Sequence, residues 1–217
     1  MIHLKSTSVT FSSDGYTLYG VLSRTESMTK NGVVILHPHP LYGGDMNNHV
    51  VTTLEHVFLD EEFATLRFNF RGTSSSRKGY SSIDSAVTDA LNAINYVKSN
   101  CRLEHVGIVG YSFGASTALR VALLEHPLFV ISLSASKDLV SEGGFDVQKL
   151  SDMSCPVLMF HGTSDQMIPF SDLKFFKRLL GLGGKLTIPI EGESHFYQRS
   201  LSMVEASIRT FLEEHFS

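Results

Sequence analysis

Ser112 stands in Gly110-Tyr111-Ser112-Phe113-Gly114, between the apolar run Val106-Gly107-Ile108-Val109 and the stretch Ala115-Ser116-Thr117-Ala118-Leu119-Arg120. A serine hydroxyl is a weak nucleophile near neutral pH and needs a base beside it to take its proton. The flanks predict strand, tight turn and helix. Small residues around Ser112 let the backbone bend sharply, and the helix behind it turns its free N–H groups toward any negative charge that develops there. The competing reading is an ordinary strand-to-helix turn in which Ser112 only caps the helix. Other polar side chains gather in His37-Pro38-His39-Pro40-Leu41-Tyr42-Gly43-Gly44-Asp45, in His161-Gly162-Thr163-Ser164-Asp165 and in Glu191-Gly192-Glu193-Ser194-His195. His37 and His39 are zinc-ligand types, but no compact third and fourth ligand accompanies them. They are expected to hydrogen-bond within their loop, with no metal and no cofactor.

The elements that must position these loops follow from periodicity. Ile2–Thr10 and Tyr16–Leu22 read as a hairpin about Ser12-Ser13-Asp14-Gly15. A polar loop, Arg24–Asn31, leads to the short β-branched run Val33–Leu36, which reads as a buried strand. Further strands are expected at Ala64–Phe70, Val106–Val109, Phe129–Leu133, Val157–Phe160 and Lys185–Ile190. Helical spacing marks His49–Glu62, Ile83–Lys98, Ala115–Leu124, Ser171–Leu180 and Leu201–Phe211, with Gly181 as a C-terminal cap. Arg67, polar within its strand, is expected to pair with a carboxylate. Asp84 and Asp89 read as solvated or N-terminal helix charges. A hairpin followed by alternating strands and helices predicts an α/β fold: one mostly parallel sheet with helices on both faces. Sites in such sheets gather at the C-terminal strand ends, where the loops bearing Leu41, Ser112, Asp165 and His195 would all lie.

The bulk numbers narrow the class. The 217 residues suit one domain spanning residues 1–217, with 42% apolar and 18% charged residues. The net charge of −4 and the lack of a basic run argue against a nucleic-acid partner. Cys101 and Cys155 give neither a disulfide framework nor a metal spacing. No signal-peptide core and no apolar run of about 18 residues is present, so a cytoplasmic protein without a membrane partner is expected. The oligomeric state is not readable.

Gly110-Tyr111-Ser112-Phe113-Gly114 in its strand–turn–helix setting resembles the nucleophile elbow of the α/β-hydrolase superfamily. With His37-Pro38-His39-Pro40, Gly43-Gly44 and Arg67-Phe68-Asn69-Phe70-Arg71-Gly72, the chain is similar, over nearly its whole length, to small cap-less bacterial members of that superfamily. That group is in turn similar to dienelactone hydrolases and to prolyl-oligopeptidase-type catalytic domains. The resemblance implies the order nucleophile, acid, histidine, met by Ser112, Asp165 and His195, with Asp138 as the rival acid. It implies that Ser112 attacks an acyl carbonyl, that His195 relays the proton and that Asp165 orients the imidazole. It places the oxyanion-hole amides at Phe113 and Leu41, with Tyr42 the nearest rival for the second. One departure bears on substrate: dienelactone hydrolases typically carry a cysteine nucleophile, whereas this chain has Ser112, which favours general serine esterase chemistry.

Ser134–Met153 offers about twenty residues where larger superfamily members insert a cap, so a minimal cap and an open site are expected. Tyr42, Met167, Ile168, Phe196 and Phe145 are the candidate substrate contacts, an apolar set that suits small acyl or aryl esters. No arginine cluster points to an anionic substrate; Lys137 and Arg71 are the residues that would overturn this. The expected function is a serine hydrolase of carboxylic esters working through an acyl-enzyme. A thioesterase or small-peptide hydrolase is the alternative within enzymes, and a non-catalytic binding protein is the alternative outside them.

Overall fold

The computed structural model describes residues 4–26, 29–73 and 82–216. Ile2 and His3 of the expected first strand, and residues 74–76 of the expected loop after Phe70, lie outside these. Strands β1 (Lys5–Ser13) and β2 (Tyr16–Arg24) pair antiparallel around Asp14 and Gly15. Both turn residues have positive φ, 46° and 80°, the backbone that a two-residue hairpin turn requires. That turn carries β1 three residues beyond the expected Thr10.

Strands and helices then alternate: β3 (Asn31–Leu36), α1 (His49–Asp60), β4 (Ala64–Phe68), α2 (Ile83–Cys101), β5 (His105–Tyr111), α3 (Phe113–Glu125), β6 (Val130–Leu133), α4 (Lys137–Ser141), β7 (Val157–Gly162), α5 (Ser171–Leu179), β8 (Thr187–Ile190) and α6 (Leu201–Phe216). The strands form one sheet in the order β1-β2-β4-β3-β5-β6-β7-β8. Strands β4 through β8 and β3 run parallel to their neighbours, and β2 joins them antiparallel through Gly20↔Phe68 to Ser23↔Thr65. This is the expected α/β-hydrolase arrangement.

Alternation in the strands divides the core in two. Val33 and Ile35 of β3 face one layer, with Val50, Leu54 and Phe58 of α1 and Val204, Ile208 and Phe211 of α6. Val34 and Leu36 face the other, with Ala86, Ala90 and Ile94 of α2, Ala118 and Leu119 of α3, and Leu173 and Phe176 of α5. Parallel strands buried on both faces explain why β3 and β5 read as continuous apolar runs. Helix α5 ends as expected, with Gly181 at φ 63° and the Leu182 N–H donating to the Lys177 carbonyl at 3.0 Å.

Two ion pairs, each hydrogen-bonded by a hairpin serine, tie the opening hairpin to this core. The Arg67 Nε donates to Glu55 of α1 at 2.7 Å, the expected kind of partner, and Ser23 of β2 donates to the same carboxylate at 2.9 Å. Asp89 departs from expectation. It is fully buried on α2, where one carboxylate oxygen accepts from Arg71 Nε and Nη2 at 2.9 and 2.6 Å and from Ser13 at 2.6 Å. Helical periodicity places residue 89 correctly on α2, but a buried carboxylate is revealed only by the distant cation that neutralises it. Asp84 does sit in the first turn of α2, paired with Arg120.

The segment in place of a cap is α4 followed by 3₁₀ turns at Glu142–Gly144 and Val147–Asp152. It is more helical than one short helix, yet adds no layer over the sheet edge. Among the described residues no helix is long and apolar enough to cross a membrane.

Candidate active site

The turn between β5 and α3 holds Ser112 at φ 58° and ψ −114°, a region L-residues rarely occupy. Its N–H donates to Leu133 of β6 at 2.8 Å, so the bend is pinned to the neighbouring strand. The flanking glycines are required by close approach. A Cβ on Gly110 would stand 2.1 Å from the Gly114 carbonyl oxygen, and one on Gly114 would stand 2.3 Å from that of Leu36. Phe113 opens α3, so its N–H has no carbonyl partner within the helix and lies beside the serine.

Three side chains from three loops form a continuous relay. His195 Nε2 lies 3.0 Å from Ser112 Oγ, and His195 Nδ1 lies 2.7 Å from Asp165 Oδ2. A carboxylate can only accept, so Nδ1 carries the imidazole proton and Nε2 is bare and faces the hydroxyl. Asp165 Oδ1 accepts the N–H groups of Met167 and Ile168, each at 2.9 Å. Burial alone would raise this carboxyl; the bonds from His195 and from the two amides outweigh it and hold it below the usual carboxylate range. Asp138, the rival acid, is exposed in the first turn of α4, and the imidazole bonds Asp165 instead.

The acid and histidine loops are joined edge to edge. Thr163 N–H donates to Ile190 at 2.9 Å, Ser164 N–H to Glu193 at 3.0 Å, and Gly192 N–H to Thr163 Oγ1 at 2.9 Å. Two groups that hold the His195 loop, Tyr111 and Glu193, were given no such role by sequence reasoning. The Tyr111 hydroxyl donates to the His195 carbonyl at 2.8 Å. The Glu193 carboxylate accepts the N–H groups of Ser194 and Arg199 at 2.9 and 3.0 Å. Buried Tyr197, at φ 52°, exchanges a 2.9 Å hydrogen bond with Ser134. Adjacency to the serine and histidine was the only signal for them; their partners lie as far as 84 residues away.

The loop after β3 is organised by its two histidines, as expected. His37 is fully buried; its Nδ1 lies 2.6 Å from the Pro38 carbonyl and its Nε2 accepts the Phe70 N–H at 3.0 Å. Burial pushes its pKa down to about 4. His39 Nδ1 accepts the Leu41 N–H at 3.2 Å, and the His39 carbonyl accepts the Tyr42 N–H at 3.1 Å. The Leu41 amide is therefore not an open oxyanion donor in this geometry, and neither is that of Tyr42. The physical reason is the tight 3₁₀ turn at Pro40–Tyr42, which folds both amides back onto residue 39.

Around the relay, Leu41 is 64% exposed, Tyr42 80%, Met167 54% and Phe196 50%. Ile168 is buried and contributes its backbone. Phe145 lies elsewhere: its ring packs under the Arg120 guanidinium at 4.5 Å, in a cavity of about 350 Å³ with Val87 and Leu123. The turn at Glu142–Gly144 directs it onto α3, so the expectation that it contacts substrate is corrected. Arg71 is consumed by Asp89, and Lys137 Nζ sits 4.8 Å from the Phe175 ring centre. Cys101 and Cys155 are both free thiols away from the relay. Among the described residues no cluster of side chains could hold a metal ion.

The profile of the dienelactone hydrolase family matches residues 18–188. An uncharacterized protein of Rickettsia prowazekii (strain Madrid E) is 28% identical over 184 residues, covering 82% of this chain and 77% of its own. The structure of an alpha-beta serine hydrolase homologue from Coxiella burnetii superposes with a TM-score of 0.82 at 28% identity, over 94% of this chain and 96% of that one. A serine hydrolase without lid from Xanthomonas campestris shares the fold, with a TM-score of 0.81 at 22% identity, over 97% of this chain and 94% of that one.

Proposed function

We propose, for a chain that belongs to the dienelactone hydrolase family, a serine hydrolase that cleaves carboxylic esters of small acyl or aryl groups through an acyl-enzyme. The observation that carries it is the unbroken path from Ser112 Oγ to His195 at 3.0 Å and from His195 to Asp165 at 2.7 Å. Ser112 Oγ attacks the ester carbonyl while His195 Nε2 takes its proton. Asp165 keeps the imidazole in the reactive tautomer and stabilises its cation. The tetrahedral intermediate collapses with transfer of that proton to the leaving alcohol, and water repeats the sequence to free the acid.

The Phe113 N–H faces the developing oxyanion. Leu41 supplies the second donor by exchanging His39 Nδ1 for the substrate oxygen. An anionic acceptor outcompetes a neutral one for the same N–H, and the 3.2 Å bond to His39 is a long one. Ser112 in place of the cysteine usual in dienelactone hydrolases favours an alkoxide leaving group in an ordinary ester. With Arg71 and Lys137 engaged elsewhere, the exposed side chains of Leu41, Tyr42, Met167 and Phe196 favour an uncharged, apolar acyl or aryl group.

Pre-steady-state hydrolysis of p-nitrophenyl acetate tests this. A burst of one nitrophenolate per chain is expected, with Ser112→Ala abolishing it and lowering turnover by at least about 1,000-fold. A wild-type protein that shows no burst and takes up no fluorophosphonate probe overturns the ester reading. Faster turnover of thioesters or short peptides than of any aryl or alkyl ester redirects it to those leaving groups.

A further inference from the structure

His161 is the penultimate residue of β7, is 1% exposed and belongs to no step of the relay just described. Its Nε2 lies 3.0 Å from the Ile168 carbonyl oxygen. A carbonyl only accepts, so this nitrogen carries the imidazole proton. The same Nε2 stands 3.5 Å from Asp165 Oδ2, the oxygen that accepts from His195. Burial pushes the His161 pKa down, against the pull of Asp165 and Asp172, so the ring is neutral and offers an N–H dipole.

Between Asp165 and Ile168 the acid loop thus has two side-chain anchors. On one side Asp165 Oδ1 is fixed by the amides of Met167 and Ile168. On the other the Ile168 carbonyl is fixed by His161, which also directs positive charge density at Oδ2. Without the second anchor, the turn at 165–168 would be free to rotate the carboxylate about its Oδ1 bonds and to swing Oδ2 off the His195 axis.

We propose that His161 is a positioning residue for catalysis: its Nε2–H, bonded to the Ile168 carbonyl and standing 3.5 Å from Asp165 Oδ2, holds the triad carboxylate in line with His195. The inference rests on the serine-hydrolase reading of the same site.

His161→Gln retains a donor at a similar reach, whereas His161→Met has nearly the same volume and length but no donor. Both are compared with wild type on p-nitrophenyl acetate for kcat and KM. Both are also examined by proton NMR for the far-downfield resonance of the proton between His195 and Asp165. For His161→Met we expect kcat to fall about 10- to 100-fold, the cost of a displacement of order 1 Å at a catalytic group. KM should stay within about two-fold, because nothing touching substrate changes, and the downfield resonance should broaden or vanish. His161→Gln should recover most of kcat and the resonance. The proposal is overturned if His161→Met keeps kcat within about two-fold of wild type, or if both variants lose activity equally while the resonance persists. If His161→Met does not fold, the Gln variant decides: loss of its resonance or of most of its kcat overturns the proposal, and retention of both supports it. Failure of the serine-hydrolase reading itself is distinct, since it shows as the absence of burst and fluorophosphonate labelling in wild type.

Discussion

Ser112 adopts φ 58° without the freedom of a glycine, a conformation that costs of order 1–3 kcal/mol and is held by its surroundings. The bond to Leu133 and the start of α3 hold it from either side. Its sequence neighbours announce this bend; its partners are less visible. Asp165 and His195 were legible as loop residues after strands, in the right order. The choice of Asp165 over Asp138 becomes certain only when the imidazole is seen to face it. Asp165→Asn tests that geometry. Its Oδ1 still accepts from Met167 and Ile168, but an amide NH₂ opposite His195 Nδ1 forces the other tautomer. We expect kcat to fall about 10,000-fold with little change in the thermal midpoint, measured by steady-state hydrolysis and a melt of the same sample.

At the scale of elements, the elbow depends on two chain segments passing at backbone contact. A methyl on Gly114 would meet the Leu36 carbonyl oxygen at 2.3 Å, and backbone on both sides leaves little to yield. Gly114→Ala should destabilise the protein by about 1–3 kcal/mol, read as a lowered urea midpoint, and should impair turnover more than substrate binding, because β3 and α3 carry both sides of the oxyanion site. A second junction, Arg71–Asp89, fastens the exit of β4 to α2 and, through Ser13, to the hairpin. Removing one partner leaves a charge buried alone. Arg71→Met should therefore cost about 3–5 kcal/mol in denaturant unfolding while leaving the relay geometry of the folded fraction unaltered. Element type and order were legible because period and turn chemistry are local. The Asp89 role was not, because an acid on a helix looks the same in sequence whether it meets water or a guanidinium.

For the molecule as a whole, the buried His37 links acid stability to the loop over the active site. Its folded pKa is lowered to about 4 from 6.5. The unfolded chain therefore binds the proton first as pH falls. The stabilisation is present above about pH 6.5 and is lost progressively down to about pH 4, amounting to about 3 kcal/mol at about 1.4 kcal/mol per unit. His37→Gln should flatten this part of the stability profile between pH 7 and pH 4, measured as urea midpoints across that range, even though the variant is less stable at pH 7. A slope unchanged by the substitution would assign acid sensitivity to other groups.

Periodicity and punctuation in the sequence determined the alternation of strands and helices and the bend at Ser112, since each of these rests on contacts within a few residues along the chain; the order of the three relay residues followed from the resemblance to the α/β-hydrolase superfamily. Tertiary structure alone decided which acid faces His195, that the Leu41 amide is turned onto His39, that Phe145 packs on α3 rather than beside the serine, and that Asp89 and His161 are buried with partners. Those outcomes depend on where chain segments tens of residues apart come to rest against one another, and on how the desolvated polar groups they bring together are satisfied.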